Sequence, residues 1–301
     1  MNIGIVGPGA MGTFLSGLLA QKNEVTLLGR RDEDIERIEI KGETELVSEI
    51  DFTTDPHELA SADLVVISTK AFDTEEAVKS IVSHLTSDCS VLSLQNGLIN
   101  EEIIADFVGE ERTVGGITSH GVTYLETGKV RHAGKGETII GPYPKGNLEK
   151  NGVKKTVEVL KDAGLKTEVS DNIIGHIWKK VIVNAGINPV TALLGVKNGF
   201  LVEDENLLEV MREVVDEATE VARKHTELPV DDTFKETREV AEATRDNRSS
   251  MLQDIENERR TEIDHINGAV IQKAEKAGVS VPVNTILYRL IKSMEKAKSV
   301  S

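Results

Sequence analysis

The stretch NIGIVGPGAMG, residues 2–12, decides how the N-terminal half of this chain folds. Asn2 to Val6 is a short run rich in β-branched residues; it ends in Gly7-Pro8-Gly9-Ala10-Met11-Gly12 and gives way at once to the helical pattern TFLSGLLAQK. In the order strand, GxGxxG, helix, each glycine has a separate task. Gly7 permits the tight turn, Gly9 lets a pyrophosphate approach the backbone, and Gly12 lets the helix pack on the sheet, while the helix N-terminus offers N–H donors to phosphate oxygens. A Gly-rich turn in an α/β domain is the blander reading of the same residues. The position at the start of the chain, and a second strand from Glu24 to Leu28 at the expected distance, favour dinucleotide binding.

At the end of that second strand, a cofactor with a free ribose 2′-hydroxyl usually meets Asp or Glu. This chain reads Leu28-Gly29-Arg30-Arg31, two cations that suit a 2′-phosphate, so NADP is favoured over NAD. Asp32 keeps NAD open, because a one-residue displacement of the turn would offer a carboxylate. Further on, Asp63 to Ser68 is a buried-type strand ending in Thr69-Lys70-Ala71, Thr74 to Leu85 has a helical pattern, and Ser90 to Leu94 is a strand ending in Gln95-Asn96-Gly97. In an open α/β sheet the ligand crevice lies beyond the carboxyl ends of the strands, where Lys70 and Asn96 fall. A solvated loop lysine and an ordinary tight turn are the alternatives. Residues 113–141 have β-branched runs broken by Gly-containing turns, read as antiparallel or mixed strands extending the sheet. His120 and His132 lie there without metal-ligand spacing, so no metal is expected. A last helix (Gly152 to Ala163) and a last strand (Leu165 to Val169) bring the domain to a boundary at about Ser170 to Asn172.

Beyond it the pattern is helical, with amphipathic segments at Leu207 to His225 and Asp231 to Thr244, and a Gly stop after Asn267 to Gly278. The fold class is therefore α/β plus all-α: a dinucleotide-binding domain over 1–170, then a helical domain over 171–301. The second begins with IWKKVIVNAGINPVTA, residues 177–192, in which Lys180, Asn184 and Asn188 recur every four residues. On a helix they advance only ~40° per step and share a face, interrupting an otherwise apolar segment. Buried polar groups need partners. Either each finds a backbone carbonyl or a carboxylate, or the three form a wall presenting one cation and two amides to a small polar ligand. Pro189 disfavours helix at Asn188, which predicts a kink or an end there. Ser249 or Ser250 suits a helix cap. Glu262, close after Arg259 and Arg260, suits a structural ion pair, and it lies ~120° from Ser250 if one helix carries both.

Composition narrows the partners. Among 301 residues, 35 Lys and Arg face 51 Asp and Glu, a formal charge of -16 that repels nucleic acid and anionic membrane surfaces alike. With aromatics at 3%, base-stacking platforms are not expected. Cys89 is the single cysteine, which excludes an intramolecular disulfide framework and suits a reducing, cytoplasmic location. Met1 leads directly into the first strand with no secretory signal, and the longest apolar stretch, Val181 to Val196, is too short to span a bilayer.

Seven segments in order, GPGAMG, TKAFDT, QNG, TSHG, WKKVIVNAGINPVTAL, SSMLQD and RTEIDHINGAV, resemble the ketopantoate reductase (2-dehydropantoate 2-reductase) family over essentially the whole length. The resemblance implies a Rossmann-type NADP domain followed by a helical domain, and NADPH-dependent reduction of 2-dehydropantoate to (R)-pantoate on the route to pantothenate and coenzyme A. By motif, Lys180 matches the family's general acid, and Asn184, Asn188, Asn198 and Ser250 match its substrate-binding positions. Gly7, Pro8, Gly9, Ala10, Met11, Gly12, Arg30, Lys70, Asn96 and the backbone near Val122 match cofactor contacts. Asn96 is also counted with the substrate, and Glu262 matches a carboxylate where cofactor and substrate meet. Gly121-Val122 departs from the small residues, more often alanine, found there, which touches only the nicotinamide packing. The chemistry fits independently: hydride delivery to a 2-keto carbonyl builds negative charge on oxygen, and an ammonium such as that of Lys180 can stabilise and protonate it. Two other readings stand beside this one. One is another two-domain dehydrogenase acting on 3-hydroxy acids, glycerol phosphate or opines, and the other is a non-catalytic dinucleotide sensor. A homodimer is left open.

Overall fold

A computed structural model of the chain describes residues 1–144, 146 and 152–298; residues 299–301, the end of the second predicted domain, lie outside the described residues. The chain forms two compact units. One comprises Met1–Gln95 with Asn100–Ile174, the other Asn96–Ile99 with Gly175 onward. The second unit thus takes in the loop 96–99 as well as the chain from Gly175. Ile173, in the first unit, has its side chain against Gly115 and Gly141 of that unit's sheet.

The first unit runs β1 (Asn2–Val6), α1 (Ala10–Leu19), β2 (Glu24–Leu28), β3 (Arg37–Gly42), β4 (Leu46–Glu49), β5 (Asp51–Thr53), β6 (Leu64–Ile67), α2 (Thr74–Ile81) and β7 (Ser90–Ser93). It continues with α3 (Asn100–Val108), β8 (Thr113–Thr118), β9 (Gly121–Glu126), β10 (Lys129–Gly134), β11 (Thr138–Pro142), α4 (Val153–Asp162) and β12 (Thr167–Val169). Eight strands form the main sheet in the order β12-β11-β8-β7-β6-β1-β2-β5, parallel except where β11 runs against β8. Because β1 has β2 on one side and β6 on the other, the strand order reverses at β1. The carboxyl ends of these strands make the crevice where an α/β sheet takes its ligand.

Only half of the 113–141 segment extends that sheet, contrary to the sequence-based expectation. β8 and β11 join it, but β9 and β10 pair with β3 and β4 in a separate sheet of order β4-β3-β10-β9. The cause is α1, in which every residue from Gly12 to Leu19 is buried, so that it is covered on all sides. Its outer face needs a second cover. Phe14 and Leu18 share a core with Ile38, Ile40 and Val130 of the small sheet as well as with Ile3, Ile5 and Leu27 of the large one.

The second unit is built of α5 (Ile173–Leu194), α6 (Phe200–Glu203), α7 (Glu205–Arg223), α8 (Thr233–Ala243), α9 (Ser250–Glu256), α10 (Asn267–Ala277) and α11 (Pro282–Lys298). Asp204 and Asp232 cap α7 and α8, accepting from Leu207 N and Lys235 N. Glu217 of α7 receives the N–H groups of Val283 and Asn284, orphan donors at the start of α11. α5 approaches α7 and α8 at Gly186, where an added Cβ would meet Val215 at 2.9 Å and Thr237 at 3.2 Å. It continues through Pro189 to Leu194, so the helix does not end at Asn188. A proline inside a helix costs ~3 kcal/mol of local stability, but Ile187, Val190 and Ala192 around it are all buried and hold the helical path.

Candidate active site

The glycine fingerprint forms a cradle that can be tested residue by residue. Gly7 has φ +108°, and a Cβ there would lie 2.9–3.1 Å from Thr69 at the end of β6. A Cβ on Gly12 would lie 1.9 Å from the Gly7 carbonyl oxygen and 2.5 Å from Ser68 Oγ, so no side chain can stand between α1 and the β1 turn. Gly9 is different: nothing lies within 4 Å of its added Cβ. α1 begins there without a side-chain cap and without an acidic residue in its first turn. Open space above Gly9 and N–H donors not claimed by a carboxylate fit a dinucleotide pyrophosphate.

Arg30 and Lys70 belong to the ends of β2 and β6, the two neighbours of β1. The Arg30 guanidinium is 56% exposed and paired with Asp73 at 2.5 Å and with Glu76 at 3.7 Å. Lys70 leads into the 3-10 turn Ala71–Asp73. Gln95, to which the sequence reading gave no role, braces this loop. Its Nε2 donates to the Thr69 carbonyl at 2.9 Å and lies 3.1 and 2.8 Å from the Thr69 and Thr74 hydroxyls. A polar residue closing a buried strand was the available signal. Val122 lies on β9, in register with His132 of β10. His132 Nε2 is 3.0 Å from His120 Nδ1, and His132 Nδ1 is 2.9 Å from Thr44 Oγ1. Burial pushes the pKa of both rings down, that of His120 further through His132. The histidines that looked unrelated in sequence are thus hydrogen-bonded to each other, with Phe14 of α1 packed against both rings.

In the second unit, Lys180 and Asn184 are half-buried on α5 and Asn188 is buried. The two amides answer the question posed by the sequence. Among the described residues neither Asn184 nor Asn188 has a side-chain hydrogen-bond partner, so the reading in which each is satisfied by the fold does not hold for them. Thr191 Oγ1 lies 3.0 Å from the Asn188 carbonyl oxygen and 2.7 Å from Ser249 Oγ. Ser249, not Ser250, is the cap of α9, accepting from Leu252 N. Ser250 is left exposed at the first helical position, its chain neighbour tied to α5 one turn from Asn188. Asn198 is more firmly structural: its Nδ2 donates to Thr244 Oγ1 at 2.9 Å, and its backbone N–H to Asn247. Lys179 is ion-paired with Glu236 at 2.8 Å.

Glu262 is buried, and its Oε2 accepts from Asn96 Nδ2 at 3.3 Å. The 96–99 loop is fixed to the same segment by Leu98 N–H, which donates to the His265 carbonyl at 2.9 Å. Gly97 is required there, since a Cβ would lie 2.7 Å from that carbonyl oxygen and φ is +96°. Arg260, close before Glu262, reaches Asp264 at 3.0 Å. Burial pushes the Asp264 carboxyl up, but hydrogen bonds from Lys292, Arg260 and Tyr288 outweigh it and hold the pKa below its ordinary value. Glu295 of α11 accepts from both Thr261 N and Thr261 Oγ1, fastening the residue before Glu262. Ser250 and Glu262 do not share a helix, because α9 ends at Glu256 and Glu258 has a left-handed φ of 55°. No group of three metal-ligating side chains occurs among the described residues, and none of their helices is long and apolar enough to cross a membrane.

Known proteins share the sequence pattern and the fold of this chain. Residues 3–145 match the family model described as ketopantoate reductase PanE/ApbA, and residues 172–295 match its C-terminal counterpart. The chain is 42% identical over 302 residues to 2-dehydropantoate 2-reductase of Pyrococcus horikoshii and 40% identical over 303 residues to that of Pyrococcus abyssi, with 98% of each chain covered in both cases. A crystal structure of a PanE/ApbA family ketopantoate reductase from Ralstonia eutropha superposes with a TM-score of 0.89 at 30% identity, covering 99% of this chain and 100% of that one. D-mandelate dehydrogenase in ternary complex with NADH and anilino(oxo)acetate superposes with a TM-score of 0.90, also at 30% identity and with the same coverage. The chain belongs to the ketopantoate reductase family.

Proposed function

We propose that this chain reduces 2-dehydropantoate to (R)-pantoate with NADPH, on the route to pantothenate and coenzyme A, with Lys180 as the general acid. The observation that carries the reading is the pair Asn184 and Asn188, one and two turns beyond Lys180, whose amides have no hydrogen-bond partner among the described residues. Amides that the fold leaves without a partner, set on the same helix face as a lysine, present two donors and two acceptors to a small polar ligand. The relatives named as 2-dehydropantoate 2-reductases support the same substrate.

The fingerprint residues Gly7 to Gly12 would hold the pyrophosphate, Arg30 and Lys70 the adenosine ribose end, and Val122, Asn96 and Glu262 the nicotinamide end. The bound nicotinamide supplies the hydride. The chain's own contribution is to hold a proton on Lys180 Nζ, to stabilise the negative charge that develops on the substrate's keto oxygen, and to transfer the proton there. Asn184, Asn188 and Ser250 present donors and acceptors to the carboxylate and terminal hydroxyl, with Asn198 bracing the loop that leads to Ser250. Asn96, held by Glu262, adds an amide whose position does not depend on the ligand.

NADPH is favoured over NADH by Arg30 and Arg31 at the end of β2. A cytoplasmic location and a homodimer complete the proposal, the second to be checked by light scattering. One observation favours a neighbouring reading: the likeness to D-mandelate dehydrogenase, solved with NADH, points to other 2-keto acids. Initial rates with 2-dehydropantoate, phenylglyoxylate and 2-ketoisovalerate, each with NADPH and with NADH, decide between them. Faster turnover of phenylglyoxylate overturns the substrate, and binding without turnover of any of the three overturns catalysis.

A further inference from the structure

We propose that Asp73 sets how strongly this chain prefers a 2′-phosphorylated dinucleotide, by engaging the guanidinium fork of Arg30 that the phosphate would otherwise receive whole. The proposal rests on the reading above that Arg30 meets the adenosine ribose. Arg30 follows β2 and Asp73 follows β6, the strands on either side of β1, so their ion pair bridges the crevice end of the sheet beside the fingerprint.

Both terminal nitrogens of Arg30 are turned toward carboxylates, Nη2 to Asp73 Oδ2 at 2.5 Å and Nη1 to Glu76 Oε2 at 3.7 Å. An arginine recognises phosphate best through two parallel N–H bonds from that same fork. Asp73 is the more firmly placed of the two acids, its side chain 25% exposed against 75% for Glu76. Nor is Asp73 needed by the helix it precedes. It occupies the N-cap position of α2 yet makes no capping hydrogen bond, so its carboxylate serves Arg30.

Formal charge points the same way. Arg30, Arg31 and Lys70 bring three positive charges to these strand ends, and Asp32, Asp73 and Glu76 bring three negative ones. A dianionic 2′-phosphate therefore meets a group of side chains that is neutral as a whole. To take the fork it must displace Asp73 and leave that carboxylate close by, a like-charge contact that a 2′-hydroxyl does not suffer. The hydroxyl can instead donate a hydrogen bond to it. Asp73 thus holds NADPH preference down while leaving NADH binding nearly untouched.

The test is equilibrium titration calorimetry of NADPH and NADH with wild type, Arg30→Ala and Asp73→Asn, read as the ratio Kd(NADH)/Kd(NADPH), which Asp73→Asn should raise. Asp73→Asn keeps the shape of the side chain, and NADH binding in the same experiment reports that the fold is intact. At a partly exposed site, removing one unit charge a few ångströms from a phosphate should tighten NADPH about 3- to 10-fold. NADH should move less than about 2-fold, and the gain should shrink at high salt. If Arg30→Ala leaves the ratio unchanged, Arg30 does not meet the 2′ position, and both the cofactor reading and this inference fall. If Arg30→Ala lowers the ratio while Asp73→Asn leaves it unchanged or lowers it, the cofactor reading stands and the inference alone is overturned, Asp73 then acting only to orient Arg30.

Discussion

Replacing Asn188 with alanine separates a ligand-facing amide from a structural one, because the two cases differ in which measurement moves. Asn188 is 5% exposed, and its side chain has no hydrogen-bond partner among the described residues. An amide that supported the fold would cost about 1–3 kcal/mol on truncation, mostly by leaving its partner unpaired. Here there is no partner to orphan. Alanine gains roughly 0.5 kcal/mol of helix propensity over asparagine, while the lost side-chain packing costs about 1 kcal/mol, so stability should stay within about 1 kcal/mol of wild type. Activity should respond differently. Losing one or two hydrogen bonds to the keto acid costs about 1–3 kcal/mol of transition-state stabilisation, a fall of about 5- to 150-fold in kcat/KM. Asn184→Ala should follow the same pattern. Urea unfolding can be read through Trp178, the only tryptophan, buried on α5 itself and stacked on His225. Initial rates over a range of 2-dehydropantoate supply the other half. A stability loss above about 2 kcal/mol with kcat/KM unchanged would refute the reasoning and return both amides to the fold.

Lys180→Ala should lower kcat by about 10²- to 10⁴-fold, whereas Lys179→Ala should leave kcat unchanged and cost at most about 1 kcal/mol of stability, the worth of a part-exposed ion pair; the reverse pattern would mean that the acid lies on the other face of α5. Burial depresses the pKa of His120 and His132, and of His265 as well, so the unfolded chain binds more protons once the pH drops below the ordinary histidine value. Stability should therefore be flat above about pH 7 and fall as the pH is lowered from about 6.5 towards the depressed values. Replacing His120 and His132 together with asparagine should flatten that acid limb, and an unchanged limb in thermal scans would clear the pair of responsibility. Glu295→Ala removes the acceptor for both Thr261 donors and should cost about 1–3 kcal/mol of stability while raising KM for the dinucleotide, through the neighbouring Glu262. Wild-type values of both would show that the Thr261 segment stands without α11.

The first unit was legible where its signal is local. The fingerprint, the strands after it and the cations at the end of β2 depend on residues adjacent in sequence, and the structure places Gly7, Gly9 and Gly12 as the motif requires. The separate destination of β9 and β10 was not legible. Their β-branched, Gly-punctuated pattern fits either sheet equally well, and what decides is the outer face of α1, which needs Ile38, Ile40 and Val130 as a lid. The His120 and His132 pair escaped for the same reason, since it depends on the register of a hairpin and on Thr44 from another strand pair.

In the second unit the limit falls at the partner and not at the residue. The spacing of Lys180, Asn184 and Asn188 named a shared helix face, but whether a polar side chain on that face is satisfied depends on groups far along the chain. Glu262 illustrates one outcome, bonded to Asn96 across 166 positions, while Arg260, two residues away, reaches Asp264. Ser249 illustrates another, the cap taken by one serine and the next left exposed, a difference that one residue of helix register decides. Asn184 and Asn188 are the case in which the search for a protein partner ends with none. Other polar side chains nearby do reach protein partners: Asn198 Nδ2 reaches Thr244, Ser249 reaches Thr191 and Leu252, and Thr261 reaches Glu295. Two amides one turn apart on the helix face of Lys180, with no protein partner among the described residues, are open to a ligand's donors and acceptors, and the two alanine variants decide whether they receive them.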